Sequence, residues 1–338
     1  MTDAAAHPGP GTGTGRWTAA LGSAVPAGTA LRFRSLGPAP FGIEVAGVDW
    51  TAPGEAGPDG GDMRGDMRGD VGGDVPGDVP DDVRLLTLAL RRHLLLVLRG
   101  QPSPTEEQLD RFLRRFGRLV LDTEDGRAHY ADHLHRDGPA SDMAVQSRQY
   151  LQRAADNSGS TEYHPGKDGI SELVWHNDQS HRPMLKVLSV FEALDVEDGV
   201  VPTEFRDTYT AYEVLTPRQR LALDGRQLVY FNPRLPGPDR LPRLADATHP
   251  VFLPHPHTGR RALYANDFAD RVVGMDRADS DHQMAALRRH LDHNAPRYRH
   301  QWRTGDLVLW DNVGLQHRRD AVPGGQRRVM RQHGGLAE

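Results

Sequence analysis

The sequence contains no cysteine. Disulfide bonds, thiolate zinc sites and cysteine nucleophiles are therefore excluded. Lysine is nearly absent as well: only Lys167 and Lys186 occur, against 41 basic residues in total. Cationic character is thus carried almost wholly by arginine, which reads as the bias of a GC-rich coding sequence and not as a phosphate-binding device. No apolar run approaches the ~18 residues needed to span a bilayer. The opening "MTDAAAHPGPGTGTGRW" lacks the basic start and apolar stretch of a signal peptide. A net charge of -5 supplies no cationic excess for nucleic acid. The expectation is a soluble cytoplasmic protein with neither nucleic acid nor membrane as partner; a homo-oligomer stays open.

What is present suffices for a large core: 338 residues, 37% of them hydrophobic. Residues 1–30, rich in Gly, Ala, Pro and Thr, are expected to form a flexible arm. "LRFRSLGPAPFGIEVAGVDW" (31–50) alternates well enough for short strands. Residues 54–82 are a degenerate Gly-Asp repeat with almost no aliphatic content. Calcium-binding Gly-Asp repeats need a nine-residue period. The irregular spacing here points to a low-complexity surface insertion.

From Val83 the pattern is regular. "VRLLTLALRRH" predicts a helix and "LLLVLRG" a buried strand ending at Gly100. In "SPTEEQLDRFLRRFG", Ser103 is the expected cap, Pro104 the first helical residue and Glu106 the partner closing the capping box. Leu109, Phe112, Leu113 and Phe116 share an apolar face. Residues 121–172, with His129, His133 and His135, are polar and irregular, as in a variable active-site loop. Strands are expected in "SELVWHND", at 185–194, 227–232, 249–253 and 261–265, and in "GDLVLWDN" and "RRVMRQH". Helices are expected in "DTYTAYEVL", after Thr216, and in "SDHQMAALRRHLDH". Many short strands with a few flanking helices predict a mainly β protein, an antiparallel sandwich or barrel.

"LVWHNDQSHRP" (173–183) raises the chemical question. On a strand, residues two apart share a face, so His176 and Asp178 project together and Asn177 points away. A second imidazole from a distant strand would complete a facial triad, which suits Fe(II) that must also bind a cosubstrate and dioxygen. Among 17 histidines such a pair arises by chance, and a surface or hydrogen-bonded histidine is the plain alternative. The block "GDLVLWDNVGLQHRRDAVPGGQRRVM" changes the balance. Its strand, 305–312, delivers His317 just beyond its end, and Arg328 follows eleven positions later. An arginine can clamp a carboxylate through two parallel charge-assisted bonds.

Taken with "TEFRDTYTAYEVL", "HPVFLPHPHTGRRALYAN", "VVGM" and "YRHQWRTGDLVLWDN", these segments resemble the taurine dioxygenase and 2,4-dichlorophenoxyacetate dioxygenase (TauD/TfdA) family of Fe(II)/2-oxoglutarate oxygenases. The resemblance implies a double-stranded β-helix, a cupin-like jelly roll with flanking helices, spanning 31–338 as one domain. It implies that His176, Asp178 and His317 bind Fe(II), that Thr203 contacts 2-oxoglutarate beside the metal, and that Arg328 holds its distal carboxylate. Dioxygen is then the second cosubstrate, and a C–H bond of a small molecule is hydroxylated with release of succinate and CO2. Trp175 and Trp310 are expected to pack. The family usually continues "RRVMHR", its last arginine often binding an anionic substrate group; here Gln332 takes that position and Arg331 comes one place early. Arg331 would face the other side of the strand unless the strand bulges. That departure argues against a sulfonate or simple carboxylate substrate and, with the variable loop, points to a specialised natural-product substrate. Glu172, Phe231 and Asn232 are further substrate-contact candidates, and His181 is expected not to bind metal. A zinc-dependent hydrolase, or a non-catalytic binding protein, on the same fold is the alternative.

Overall fold

A computed structural model describes residues 29–51, 81–116, 119–122, 128–130, 172–230, 247–323, 326–333 and 335–336. Most of the arm, the Gly-Asp segment 54–80, and Phe231 and Asn232 lie outside the described residues, as do His133 and His135. The last two residues of the expected insertion, Asp81 and Asp82, instead open a helix, α1 (Asp81–His93).

Two sheets face each other. The larger has six strands in the order β1 (Arg32–Ser35), β2 (Ile43–Ala46), β3 (Leu95–Leu98), β15 (Leu307–Asp311), β7 (Leu188–Val196) and β17 (Arg328–His333). The smaller has the order β14 (Arg297–His300), β8 (Thr203–Asp207), β16 (Leu315–Arg319) and β6 (Leu173–His176). All pairings in both are antiparallel except β2 with β3, which is parallel. Rings from opposite sheets meet in the interior: Phe205 lies 5.5 Å from Trp310, and Phe191 6.2 Å from His317. This is the expected jelly roll. Smaller sheets join β4 (Leu119–Asp122) to β5 (Ala128–Tyr130) and β18 (Gly335–Leu336), β9 (Gln227–Tyr230) to β10 (Ala247–Pro250) and β13 (Ala269–Val272), and β11 (Phe252–Pro254) to β12 (Arg261–Leu263). The expected loop 121–172 therefore begins within a hairpin.

α2 (Glu106–Arg114) buries Leu109, Phe112 and Leu113 as expected; Phe116 is buried too, but past the helix end. Its cap is Thr105, not Ser103. The Thr105 hydroxyl accepts from the Gln108 backbone N–H, and the Gln108 side chain accepts from that of Thr105. Glutamine three residues after threonine closes the box, so Pro104 precedes the helix. Three further helices, α3 (Thr208–Glu213), α4 (Pro217–Leu223) and α5 (Arg277–Asn294), lie where the sequence puts them, α4 with its Thr216–Gln219 box.

Candidate metal centre and active site

His176 ends β6, and β16 sets His317 directly opposite it, with ring centroids 4.1 Å apart. His317 thus lies inside a strand of its own, not beyond the end of the preceding one. Asp311 creates that reversal by accepting the N–H groups of Val313 and Gly314. Gly314 is required there because a Cβ would run into the Tyr209 ring.

Asp178 is also off the expected strand. It sits in a turn whose next residue, Gln179, has φ 59°, a region that side chains other than glycine seldom adopt. The turn brings Asp178 Oδ1 to 3.8 Å from His176 Nε2 and 3.6 Å from His317 Nε2. All three donor atoms fall within 4.8 Å of one another, and all three residues are buried. Buried asparagines fix the turn. Asn312 donates to the carbonyls of Asp178 and Lys186 and accepts the Asp178 N–H. Asn177 donates to the Asn312 carbonyl and accepts from Asn266.

Burial lowers the His176 imidazole. Its Nδ1 is 2.7 Å from the Val174 carbonyl, so Nδ1 carries the proton and Nε2 offers a lone pair. His317 is pushed down to about 3, by burial first and then by the adjacent His176. For Asp178, burial alone would raise the carboxyl, but Lys186, His317, His176 and the Ser189 hydroxyl outweigh it and hold it well below the usual range. At neutral pH the site is therefore two neutral imidazoles and one carboxylate. A six-coordinate ion holding three donors on one face at ~2.1 Å would place them ~3 Å apart. The observed spacings fit such an ion after small side-chain movements. Only Oδ1 of Asp178 faces the imidazoles. Oδ2 accepts from Ser189 Oγ at 2.6 Å and Gln332 Nε2 at 3.1 Å, with Lys186 Nζ at 3.6 Å.

The walls are aromatic. Trp310 meets His317 edge-on at 5.0 Å, Phe205 stacks on it at 6.0 Å, and Phe268 lies 5.1 Å from His176. Trp175, on the opposite face of β6, packs under Arg206 at 4.4 Å. Both tryptophans thus pack, as expected. Thr203 is buried two residues before Phe205, which pairs with His317, and so shares the inner face. Its hydroxyl accepts from Trp302 Nε1 at 2.9 Å and keeps its own proton for another acceptor.

β17 does meet a bulge, but the extra residue is in β7. Met330 pairs with Ala193 and Val329 with Asp195, leaving Leu194 unmatched. β17 itself alternates regularly. Arg328, Met330 and Gln332 share one face, and Gln332 reaches Asp178 from it. Arg331 faces away and bonds to Glu192 through Nε at 3.0 Å and Nη2 at 2.5 Å. Glu172 is exposed before β6, outside the buried cluster. Sequence reasoning missed Lys186, Ser189 and Asn312. The only available signals were the rarity of lysine and the asparagine in "WDN".

A profile of the taurine catabolism dioxygenase TauD, TfdA family matches residues 62–333. The chain is 30% identical over 264 residues to a pentalenolactone F synthase of Streptomyces arenae, covering 72% of this chain and 83% of the relative. It is 28% identical over 249 residues to the alpha-ketoglutarate-dependent 2,4-dichlorophenoxyacetate dioxygenase of Cupriavidus pinatubonensis, covering 70% and 82%. In fold it is similar to a crystal structure of AAD-2 with Mn(II) and N-oxalylglycine, with TM-score 0.61, 20% identity and coverage of 91% and 96%.

Proposed function

This chain belongs to the taurine catabolism dioxygenase TauD, TfdA family, and from that premise we propose that it is an Fe(II)- and 2-oxoglutarate-dependent dioxygenase that hydroxylates an unactivated C–H bond of a small molecule. The observation that carries the reading is the buried convergence of His176, Asp178 and His317. These residues would hold Fe(II) on one face and leave the other face for cosubstrate and dioxygen. With both bound, the iron would supply an oxidation in which one dioxygen atom enters succinate as CO2 leaves and the other is inserted into the substrate C–H bond.

The protein's own part is to position and to exclude water. Asp178 is held to one oxygen by Ser189 and Gln332. The Thr203 hydroxyl accepts from Trp302 and so has its own proton to give, which suits a carboxylate oxygen. Arg328, buried on the Gln332 face, suits the far carboxylate of the keto diacid. Phe191, Phe205, Phe268 and Trp310 keep the centre dry. Likeness to a synthase named for pentalenolactone F supports a natural-product substrate.

The test is succinate release from 2-oxoglutarate under Fe(II), ascorbate and air. The wild-type protein should release succinate and Asp178→Ala should not. Oxygen-independent turnover with Zn(II) in place of iron would overturn the proposal in favour of a hydrolase.

A further inference from the structure

A second cavity lies on the far side of the larger sheet from the metal centre. In the ladder of β7 and β15, Leu188 pairs with Asp311 and Ser189 with Trp310. Two residues paired across strands share a face, and the next pair takes the other. Ser189 and Trp310 face Asp178 and His317, so Leu188 and Asp311 face away. Against them α1 sets Thr87 and Leu90, three apart on one helix face. Phe116 and His255, which follow α2 and β11, complete the wall. These residues enclose about 490 Å³ of empty space, the open mouth included.

Most of the polar capacity there serves the fold, and a remainder does not. His255 Nδ1 accepts the backbone N–H groups of His257 and Thr258, at 3.1 and 3.2 Å. Burial pushes this imidazole down to about 4, so at neutral pH it carries one proton, on Nε2. Its side chain is only 9% exposed, and Nε2 lies 3.9 Å from Asp311 Oδ1, too far for a hydrogen bond. Among the described residues this N–H finds no acceptor at bonding distance, and leaving such a donor buried is unfavourable. Asp311 is its complement. An ionised carboxylate offers about four acceptor positions. Val313, Gly314 and Tyr209 fill three of them, and one is left.

One donor and one acceptor thus face a gap that a single oxygen, ~2.8 Å from each, can bridge. A hydroxyl suits the gap because it accepts and donates at once. An anion suits it less. Arg91 also lines the cavity, but a carboxylate taking the His255 proton would come up against Asp311.

We propose that this cavity binds a small apolar alcohol, whose hydroxyl accepts from His255 Nε2 and donates to Asp311 while its carbon skeleton lies against Leu90, Phe116 and Leu188. The site is separate from the metal centre, and the proposal does not rest on the function proposed above.

The experiment titrates cyclopentanol, cyclopentyl methyl ether and cyclopentanecarboxylate into the full chain, 15N-labelled and with Zn(II) added to occupy the metal centre. The backbone amides of Leu188 and Asp311 are followed by NMR. Cyclopentanol should shift them saturably. The ether and the carboxylate should bind at least about 10-fold more weakly, the scale of one hydrogen bond to a charged group. His255→Asn offers an amide oxygen to His257 and Thr258 but removes the N–H, and should weaken the alcohol by about 10-fold. Leu90→Trp fills the cavity and should abolish binding. Ether or carboxylate binding as tightly as the alcohol, or alcohol binding undiminished in the variants, would overturn the proposal. So would the absence of any saturable shift in the wild type, which would leave water as the only occupant. Should a variant fail to fold by its melting curve, the three ligands on the wild-type chain decide alone.

Discussion

His176–Asp178 and His300–Asp306 are both buried imidazole–carboxylate pairs, yet they are built to opposite ends. In the second, His300 Nε2 lies 3.1 Å from Asp306 Oδ2. Arg99 takes both carboxylate oxygens, at 2.6 and 2.5 Å, and the Arg303 N–H adds a further bond at 2.9 Å. Every atom is used, and the pair locks the end of β14 to the start of β15. In the first, the facing atoms stay 3.8 Å apart, and Oδ1 of Asp178 makes no hydrogen bond among the described residues. A third pair, His255–Asp311 at 3.9 Å, is also spent on structure: His255 Nδ1 accepts from His257 and Thr258, while Asp311 builds its turn and accepts from Tyr209. The pair suited to an ion is the one whose facing atoms are held apart and given no other partner. The fold bears that cost through the asparagine network behind the turn.

Swapping the damage between the two pairs should separate the two roles. Asp178→Ala should reduce metal binding and succinate formation by more than about 100-fold, beyond the 10–100-fold typical of outer-shell changes, read per folded molecule because buried Lys186 loses its counter-ion as well. Asp306→Ala should cost about 3–5 kcal/mol, because Arg99 and His300 lose their partner in the interior. Mn(II) affinity per folded molecule should stay unchanged. Equal metal loss in both variants would erase the distinction.

Acid should act on the open pair next. His317 is held at about 3 in the fold against 6.5 in an unfolded chain, so the unfolded state binds the extra proton between those values. Stability from this residue is complete above pH 6.5 and is lost as pH falls toward 3. That amounts to about 2 kcal/mol at pH 5. Melting curves of the metal-free protein should show the loss, and saturating Mn(II) should reduce it. The smallest effect concerns the corrected helix cap. Thr105→Ala should cost about 1 kcal/mol, and Ser103→Ala close to nothing, by chemical denaturation.

Much of the scaffold was legible because its signals are local. The Thr216–Pro217–Gln219 box, the apolar face of α2 and the strand in "GDLVLWDN" each depend on a few neighbouring residues. The α2 cap was misplaced because two capping-competent residues stand close together, and the competing glutamine decided between them. The triad was legible as residue types in order, but not as geometry. Asp178 lies past the end of β6 in a turn, and the Asn312 bonds, not strand parity, hold it beside His176. His317 lies in a strand that exists only because Asp311 and Gly314 reverse the chain. Lys186 was passed over as compositional bias, since its burial beside Asp178 arises from packing that no local pattern records.

Asn312 lies five residues upstream of His317 and grips the peptide of Asp178 from both sides. Two of the three candidate ligands are thereby bolted to one short stretch of chain, while the third is laddered to it across β6 and β16. Thermal sliding between the two large sheets would carry the donors as a unit and leave their spacing intact. A cradle assembled this way does not wait for an ion to shape it, so loading should be a matter of entry and not of refolding.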